Sequence, residues 1–229
     1  MATRSKTALM TARKLASSIA VIVSIAATLG GVGCKSQNPM LEYITKGRDA
    51  LNSIQTSGAP IPEPELKSAV GVAMLKCFQA GVVLGWMGGN GVVVKKLPSG
   101  WSPPAAIGLV KGDFGALIGA QQIDIVMVFN DATTFDKFLT DGSYFYAGAQ
   151  GTAAANTGIS TASGPPVTTY IYAAGLYGGA SIGGMGILLK DEINGEAYGA
   201  GATVLDILNG RFPQPPGGLE LAKRLDSGV

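Results

Sequence analysis

Between Ala80 and Asn130 the chain reads AGVVLGWMGGNGVVVKKLPSGWSPPAAIGLVKGDFGALIGAQQIDIVMVFN, and this stretch limits the fold more than any other. Its apolar runs Val82–Leu84, Val92–Val94 and Ile125–Phe129 are short and β-branched, which suits strands rather than helices. Glycines fall inside the runs as well as between them, at Gly81, Gly85, Gly88, Gly89, Gly91, Gly108, Gly112, Gly115 and Gly119. Glycine within a strand marks a bulge, a sharp bend or a close backbone approach. The expectation is an α+β fold: a strongly curved, glycine-rich antiparallel sheet or partial barrel with flanking short helices. Leu97-Pro98-Ser99-Gly100 has the composition of a hairpin tip.

The N-terminus must be set aside before the charge is read. Arg4, Lys6, Arg13 and Lys14 precede the apolar run Leu15–Leu29, and Gly30-Gly31-Val32-Gly33 leads to Cys34. Residues 1–33 read as a secretory signal with a small-residue cleavage site, against the alternative of a retained membrane anchor. That segment holds four of the 17 basic residues and no acidic one, leaving 13 basic against 15 acidic, net −2. The basic balance therefore belongs to the leader, and no nucleic-acid partner is indicated. The setting of Cys34 resembles a bacterial lipoprotein box, in which the cysteine carries the lipid (palmitate or a similar acyl chain) as the first mature residue. Lys35 follows it, and the absence of aspartate there implies the outer membrane, facing the periplasm. Residues 34–40 then form a lipidated tether. Cys77, in the expected strand Val72–Phe78, reads as a buried thiol.

Leu41–Gln55 has helical periodicity. Leu41, Ile44, Leu51 and Ile54 share one half of the wheel, flanked by Lys46 and Arg48. Such a helix packs on its own domain or lies on a bilayer with its basic residues at the headgroups; spacing alone favours packing. Glu63–Ala69 reads as a short helix opened by Pro64. Asp131 is placed to cap a helix over Ala132–Leu139, which presents Phe135, Phe138 and Leu139 on one face. Ser143–Gly151 reads as a strand with a Tyr144-Phe145-Tyr146 patch, and Thr152–Pro166 as a long loop or weak strand pair. Val167–Lys190 is a second strand run. Gly88–Lys95 aligns with Gly183–Lys190, so the sheet reads as two related halves, with convergent glycine-rich composition as the alternative. Gly195–Leu208 is expected to be partly helical and broken near Gly199 and Gly201. Arg211–Gly218 is a Pro/Gly break, and Leu219–Leu225 a terminal helix.

Catalytic chemistry is sparse. The chain has no histidine, which removes histidine-based nucleophile systems and zinc sites. No phosphate-cradling glycine motif is present. Asp113, Asp124, Asp136, Asp191 and Glu192 are the carboxylates available for acid–base work, and each reads more simply as a solvated loop or helix-end charge. Trp86 and Trp101 line a ligand groove or pack a core and hairpin. No metal and no cofactor is expected.

One ordered set of blocks resembles the SYLF domain family. It comprises Ala69–Phe78, Ala80-Gly81, Gly88–Val94, Trp101–Gly108, Gly115–Ala120, Asp124–Asn130 and Gly175–Ser181, and spans roughly residues 41–210, with 211–229 as a C-terminal tail. The resemblance implies a non-catalytic domain that binds membrane phospholipid, phosphoinositide-type in eukaryotic members and another anionic lipid here. In some members an N-terminal amphipathic helix meets the membrane. Carried over, that role falls on Leu41, Ile44, Lys46, Arg48, Leu51 and Ile54. Actin binding by eukaryotic relatives is not transferred. The expectation is an envelope lipoprotein that binds phospholipid; the alternative is a structural protein of the envelope with a protein partner and no lipid. A hydrolase using carboxylates alone stands third.

Overall fold

The computed structural model describes residues 38–141, 143–152, 158–164 and 167–228; side chains at 143–152, 158–164 and 179–183 lie outside the description. The leader and Cys34 fall outside the described residues, as do the aromatic side chains of the Tyr144–Tyr146 patch. Three very long strands make the body: β1 (Gly71–Leu97), β3 (Ala105–Phe129) and β6 (Val167–Leu189). A two-residue β2 (Gly100–Trp101) pairs with the end of β1 across Pro98-Ser99, the turn read from the sequence. β4 (Ser143–Thr152) and β5 (Gly158–Gly164) lie one after the other along β6. All pairings are antiparallel, in the order β2-β1-β3-β6-β4, and the sheet is not closed. The expected loop or weak strand pair at 152–166 thus contains β5.

The two aligned stretches lie in one sheet, as expected. Gly88 and Gly186 flank the same residue of β3, Val110, so both copies of the motif edge one central strand.

Strands this long must bend, and the glycines decide where. The β1–β3 register breaks once, between Val82 and Leu84, where Val83 takes φ +66°. Beyond this bend β1 crosses back over itself. A side chain at Gly89 would overlap Lys76 and Cys77, and one at Gly91 would overlap Met74 and Leu75. Backbones approach this closely only without a Cβ. Odd-numbered residues therefore face inward between the two limbs, where Ala73, Leu75, Met87, Val93, Ile107, Ile125 and Phe129 form one core with α3 (Ala132–Asp141) and α5 (Val204–Leu208).

Even-numbered residues face outward and are covered only in part. α1 (Pro39–Gln55), α2 (Glu63–Ser68) and α6 (Gly218–Ser227) close over Val72, Met74, Val92, Val94, Ala106, Val126 and Val128. Gly47 lets α1 sit against the crossing, since a Cβ there would lie 2.8 Å from Val92 Cγ2. Both cores are complete within Asn38–Val229, which forms one compact unit.

Local signals explain most helix ends. Asn38 caps α1 by accepting from Leu41 N at 3.2 Å, with Pro39 in the first turn. Asp131 Oδ2 accepts from Thr134 N at 2.7 Å, and Phe135, Phe138 and Leu139 are buried as their spacing required. The stretch 195–208 is partly helical and broken as expected, with α4 at Asp191–Tyr198 and α5 at Val204–Leu208 separated where Gly199 and Gly201 take positive φ; only its start differs. The start moves to Asp191 because Asp191 and Glu192 occupy the positive end of the helix.

Candidate functional site: a lysine-lined groove beside an inverted sheet bend

The alternation of β3 places two contrasting surfaces back to back. From Val110 to Gln122 every even residue points out and is exposed, whereas Lys111, Asp113, Leu117 and Gln121 point in and are buried. Inside the bend Lys111 Nζ lies 3.2 Å from Asp113 Oδ2. Gln79 Nε2 donates to Asp113 Oδ2 at 3.3 Å, and Gln121 Nε2 donates to Gln79 Oε1 at 2.9 Å. Burial pushes the Lys111 amine down and Asp113 opposes that shift; burial pushes the Tyr177 phenol, which faces the same group, up. Outside the bend the residues are apolar and uncovered: Leu84 is 68% exposed, Phe114 67% and Ile118 70%, with Val82, Val83 and Leu176 beside them. The usual order of a soluble domain, apolar within and polar without, is reversed at this end of the sheet.

Where the limbs of β1 cross, the outer face holds a groove of about 520 Å³. Lys76 and Phe78 enter it from one limb, Trp86 and Asn90 from the other, Lys190 from the end of β6 and Lys46 from α1. Its floor includes Gly88 and Gly89, and the Trp86 ring occupies the space a side chain at Gly88 would need. Lys76 Nζ stands 3.4 Å from Asp124 Oδ1, and Lys46 Nζ 2.7 Å from Glu42 Oε1. Three ammonium groups with a tryptophan and a phenylalanine give a site suited to an anion that carries an apolar body. Among the described residues no group of three or more His, Cys, Asp and Glu is placed to hold a metal ion. No helix among them is long and apolar enough to cross a membrane, which says nothing of strands.

The chain matches the family model described as "Las17-binding protein actin regulator" over residues 110–227, a stretch that starts on the apolar strand of the bend. The chain belongs to the Ysc84 family. It is similar to Protein YSC84 of Saccharomyces cerevisiae, 30% identical over 206 residues, 84% of this chain and 43% of that one. Human SH3 domain-containing YSC84-like protein 1 is 32% identical over 174 residues, 73% of this chain and 51% of the relative. LAS seventeen-binding protein 3 of Saccharomyces cerevisiae is 29% identical over 185 residues, 77% and 40%. The chain thus spans about half, or less, of the length of these curated relatives. No solved structure matches.

Within this Ysc84-family chain the six residues of the amphipathic helix are divided. Ile44, Leu51 and Ile54 are buried against the strand crossing, so in this conformation their stripe is taken up by the chain's own sheet and is not a lipid-facing surface. The physical reason is the crossing itself: Met74 and Val92 present an apolar surface that needs a cover, and Gly47 lets the helix approach. Leu41 stays exposed, and Lys46 reaches the groove. Arg48 points elsewhere, with Nε 3.9 Å from Asp49 and Nη1 3.4 Å from Glu220 on α6. It ties α1 to the C-terminal helix, where Arg224 Nη1 also donates to Asn52 Oδ1 at 2.6 Å.

Other expectations are corrected by burial. Asp113 and Asp124 are buried and paired with lysines rather than solvated, and they are not placed as a catalytic pair. Asp136, Asp191 and Glu192 are exposed helix charges as expected. Trp101 packs, its Nε1 donating to Asp226 Oδ1 at 2.9 Å, while Trp86 lines the groove. Cys77 is a buried free thiol, pushed up to about 12 by burial and then by Asp124. The sequence reading missed Lys76, Lys190 and the outward row Val110, Phe114 and Ile118. Their signal was the period-two pattern of β3, which puts Lys111 and Asp113 on the same face as Ile107 and Leu109.

Proposed function

We propose that this chain is a non-catalytic phospholipid-binding domain, held at the bacterial envelope by acylated Cys34, that receives the anionic headgroup of a membrane lipid in the lysine-lined groove. The observation that carries the reading is the convergence of Lys46, Lys76 and Lys190 from three separate elements on one groove walled by Trp86 and Phe78. A phosphate needs cationic donors, and the glycerol and first methylenes of a lipid need an apolar wall beside them; the groove offers both. One acyl chain gives only marginal anchoring, so a second membrane contact is what an acylated protein requires.

Sedimentation with vesicles of equal parts phosphatidylcholine and phosphatidylglycerol tests this. Lys46→Glu and Lys190→Glu should each weaken binding by about 1 kcal/mol, with a reduced dependence on salt. Arg48→Glu should leave vesicle binding in place and instead lower the melting temperature, because its partner is Glu220. Equal binding by wild type and by the Lys46→Glu, Lys190→Glu double variant would refute the groove.

The relatives' names supply a second reading, a docking domain for a protein partner. It is favoured by the match over residues 110–227, which takes in the uncovered face of β3 and all of α6. A partner captured on that face with no affinity for vesicles would decide for it.

A further inference from the structure

The groove accounts for the lysines but not for the bend beyond it. From Val110 to Ala120 the outward residues of β3 read Val, Gly, Phe, Ala, Ile, Ala, and those of β1 from Phe78 to Gly88 are Phe, Ala, Val, Leu, Trp, Gly. Leu176 and Gly178 continue the same surface on β6. Among the described side chains no polar one interrupts it short of Gln122, which lies beside Phe78 at its edge. Protein interfaces carry about one hydrogen bond per 100–200 Å² and a polar rim, and this surface offers neither within its bounds. Hydrocarbon asks for no hydrogen bonds from side chains, and β3 is paired here with β6 throughout and with β1 on both sides of the register break at residues 115–117. Gly112 and Gly178 sharpen the point. A Cβ at either would meet nothing within 4 Å, and neither φ is positive, so neither packing nor backbone conformation requires glycine there. Inside the same bend lie Lys111, Asp113, Gln79 and Gln121. Apolar outside and polar inside is the pattern of strands immersed in lipid.

We propose that the bend of the sheet, with its apex at Val82–Leu84, Phe114–Ile118 and Leu176, inserts into the acyl region of one membrane leaflet, while Lys46, Lys76 and Lys190 stay at the level of the phosphates. The proposal rests on the phospholipid reading and adds the depth and the surface of contact. The length agrees with one leaflet. Lys76 and Val82 are six residues apart along one limb, Leu84 and Asn90 six along the other, whereas a strand that spans a bilayer needs about 9–11. The bend therefore enters and does not cross. Trp86, on the outer face between apex and groove, takes the interfacial position that tryptophan favours.

Trp86 is also the reporter. Trp101 is buried and bonded to Asp226, so it contributes a constant background. The chain from Asn38 to Val229, which holds both cores and lacks the leader, is mixed with the same phosphatidylcholine–phosphatidylglycerol vesicles carrying bromine on the acyl chains. Insertion predicts a blue shift of Trp86 emission and its quenching by chain bromine. Phe114→Asp and Ile118→Asp replace exposed side chains, so each should keep the wild-type melting temperature while losing about tenfold or more in vesicle affinity. Sedimentation that persists with Trp86 unquenched, and with Phe114→Asp binding like wild type, would overturn the insertion and leave the lysine groove standing. Failure of the folded wild type to bind any vesicle would overturn both. A lipid-free dimer that Phe114→Asp dissolves, without vesicle binding, would assign the face to a second copy of the chain and equally overturn the proposal.

Discussion

Val83 is the non-glycine residue with positive φ recorded among the described residues, and the left-handed region at +66° is one a β-branched side chain rarely enters. It is exposed at the apex of the bend, so its side chain contributes little packing to set against that strain. Two substitutions separate the terms. Val83→Ala removes both methyls but keeps the Cβ that clashes in this region. Val83→Gly removes the Cβ too, relieving about 1–2 kcal/mol, against about 0.5–1 kcal/mol lost to the greater freedom of an unfolded glycine. The glycine variant should therefore be the more stable of the two, by roughly 0.5–1 kcal/mol. At Val110, on the same outward face without positive φ, the order should reverse, with Val110→Ala more stable than Val110→Gly by about 0.5–1 kcal/mol. Urea titrations of the four variants give the differences directly; in melting temperature each amounts to about 2–4 °C per kcal/mol for a domain of this size. If alanine is preferred over glycine at both positions, the bend stores no backbone strain and the reasoning fails.

Gly91→Ala should destabilise the domain by about 3 kcal/mol in urea titration, since its Cβ would overlap the Met74 carbonyl oxygen and force the crossing limbs apart. Asn194→Ala removes the side chain whose Oδ1 accepts from Ala106 N at 2.8 Å and whose Nδ2 donates to Ala106 O at 3.2 Å. It should cost about 2–3 kcal/mol by stranding a buried donor, and Asn194→Asp should recover only the acceptor half. Cys77 should resist thiol reagents at pH 8 in the folded chain and react on addition of denaturant. Its folded pKa, near 12, lies above the unfolded value, so the neutral thiol favours the fold and this contribution is lost as pH climbs from about 9 to 12. Reaction of the native thiol at pH 8 at the unfolded rate would contradict the burial.

Much of the fold was legible because it is written locally. The β-branched runs gave strands, Pro98-Ser99 gave the turn, Asp131 gave a cap, and the spacing of Ile44, Leu51 and Ile54 gave a one-sided helix. What that helix faces was not legible. Periodicity fixes which residues share a side and is silent about whether sheet or bilayer covers it, and the answer came from Gly47 and the crossing of β1. Glycine density foretold curvature but not self-crossing, because the contacts of Gly89 with Cys77 and of Gly91 with Met74 pair residues within a single strand. The groove was hidden for a related reason. Lys46, Lys76 and Lys190 are distant in sequence and belong to no motif, and only the crossing and the end of β6 bring them together.

The two ends of the sheet obey opposite rules, and the helices show why. At the crossing, even residues such as Met74, Val92 and Val126 are apolar and lie under α1, α2 and α6, while odd residues fill the inner core with α3 and α5. Toward the bend the even residues stay as apolar as before, yet no described helix reaches them, and the odd residues turn polar. A soluble end to the same sheet needs only the reverse assignment: Lys111, Asp113, Gln79 and Gln121 outward, Phe114, Ile118, Val82 and Leu176 inward. Period two makes that a shift of one residue, the simplest change a strand can undergo. The chain instead buries an ion pair, which is weak evidence for stability, and leaves large apolar groups uncovered. Lys111, Asp113, Gln79 and Gln121 are bonded to one another there, so the inversion is an ordered arrangement rather than a packing failure. A surface built this way is matched to a medium that takes apolar side chains and supplies no hydrogen bonds.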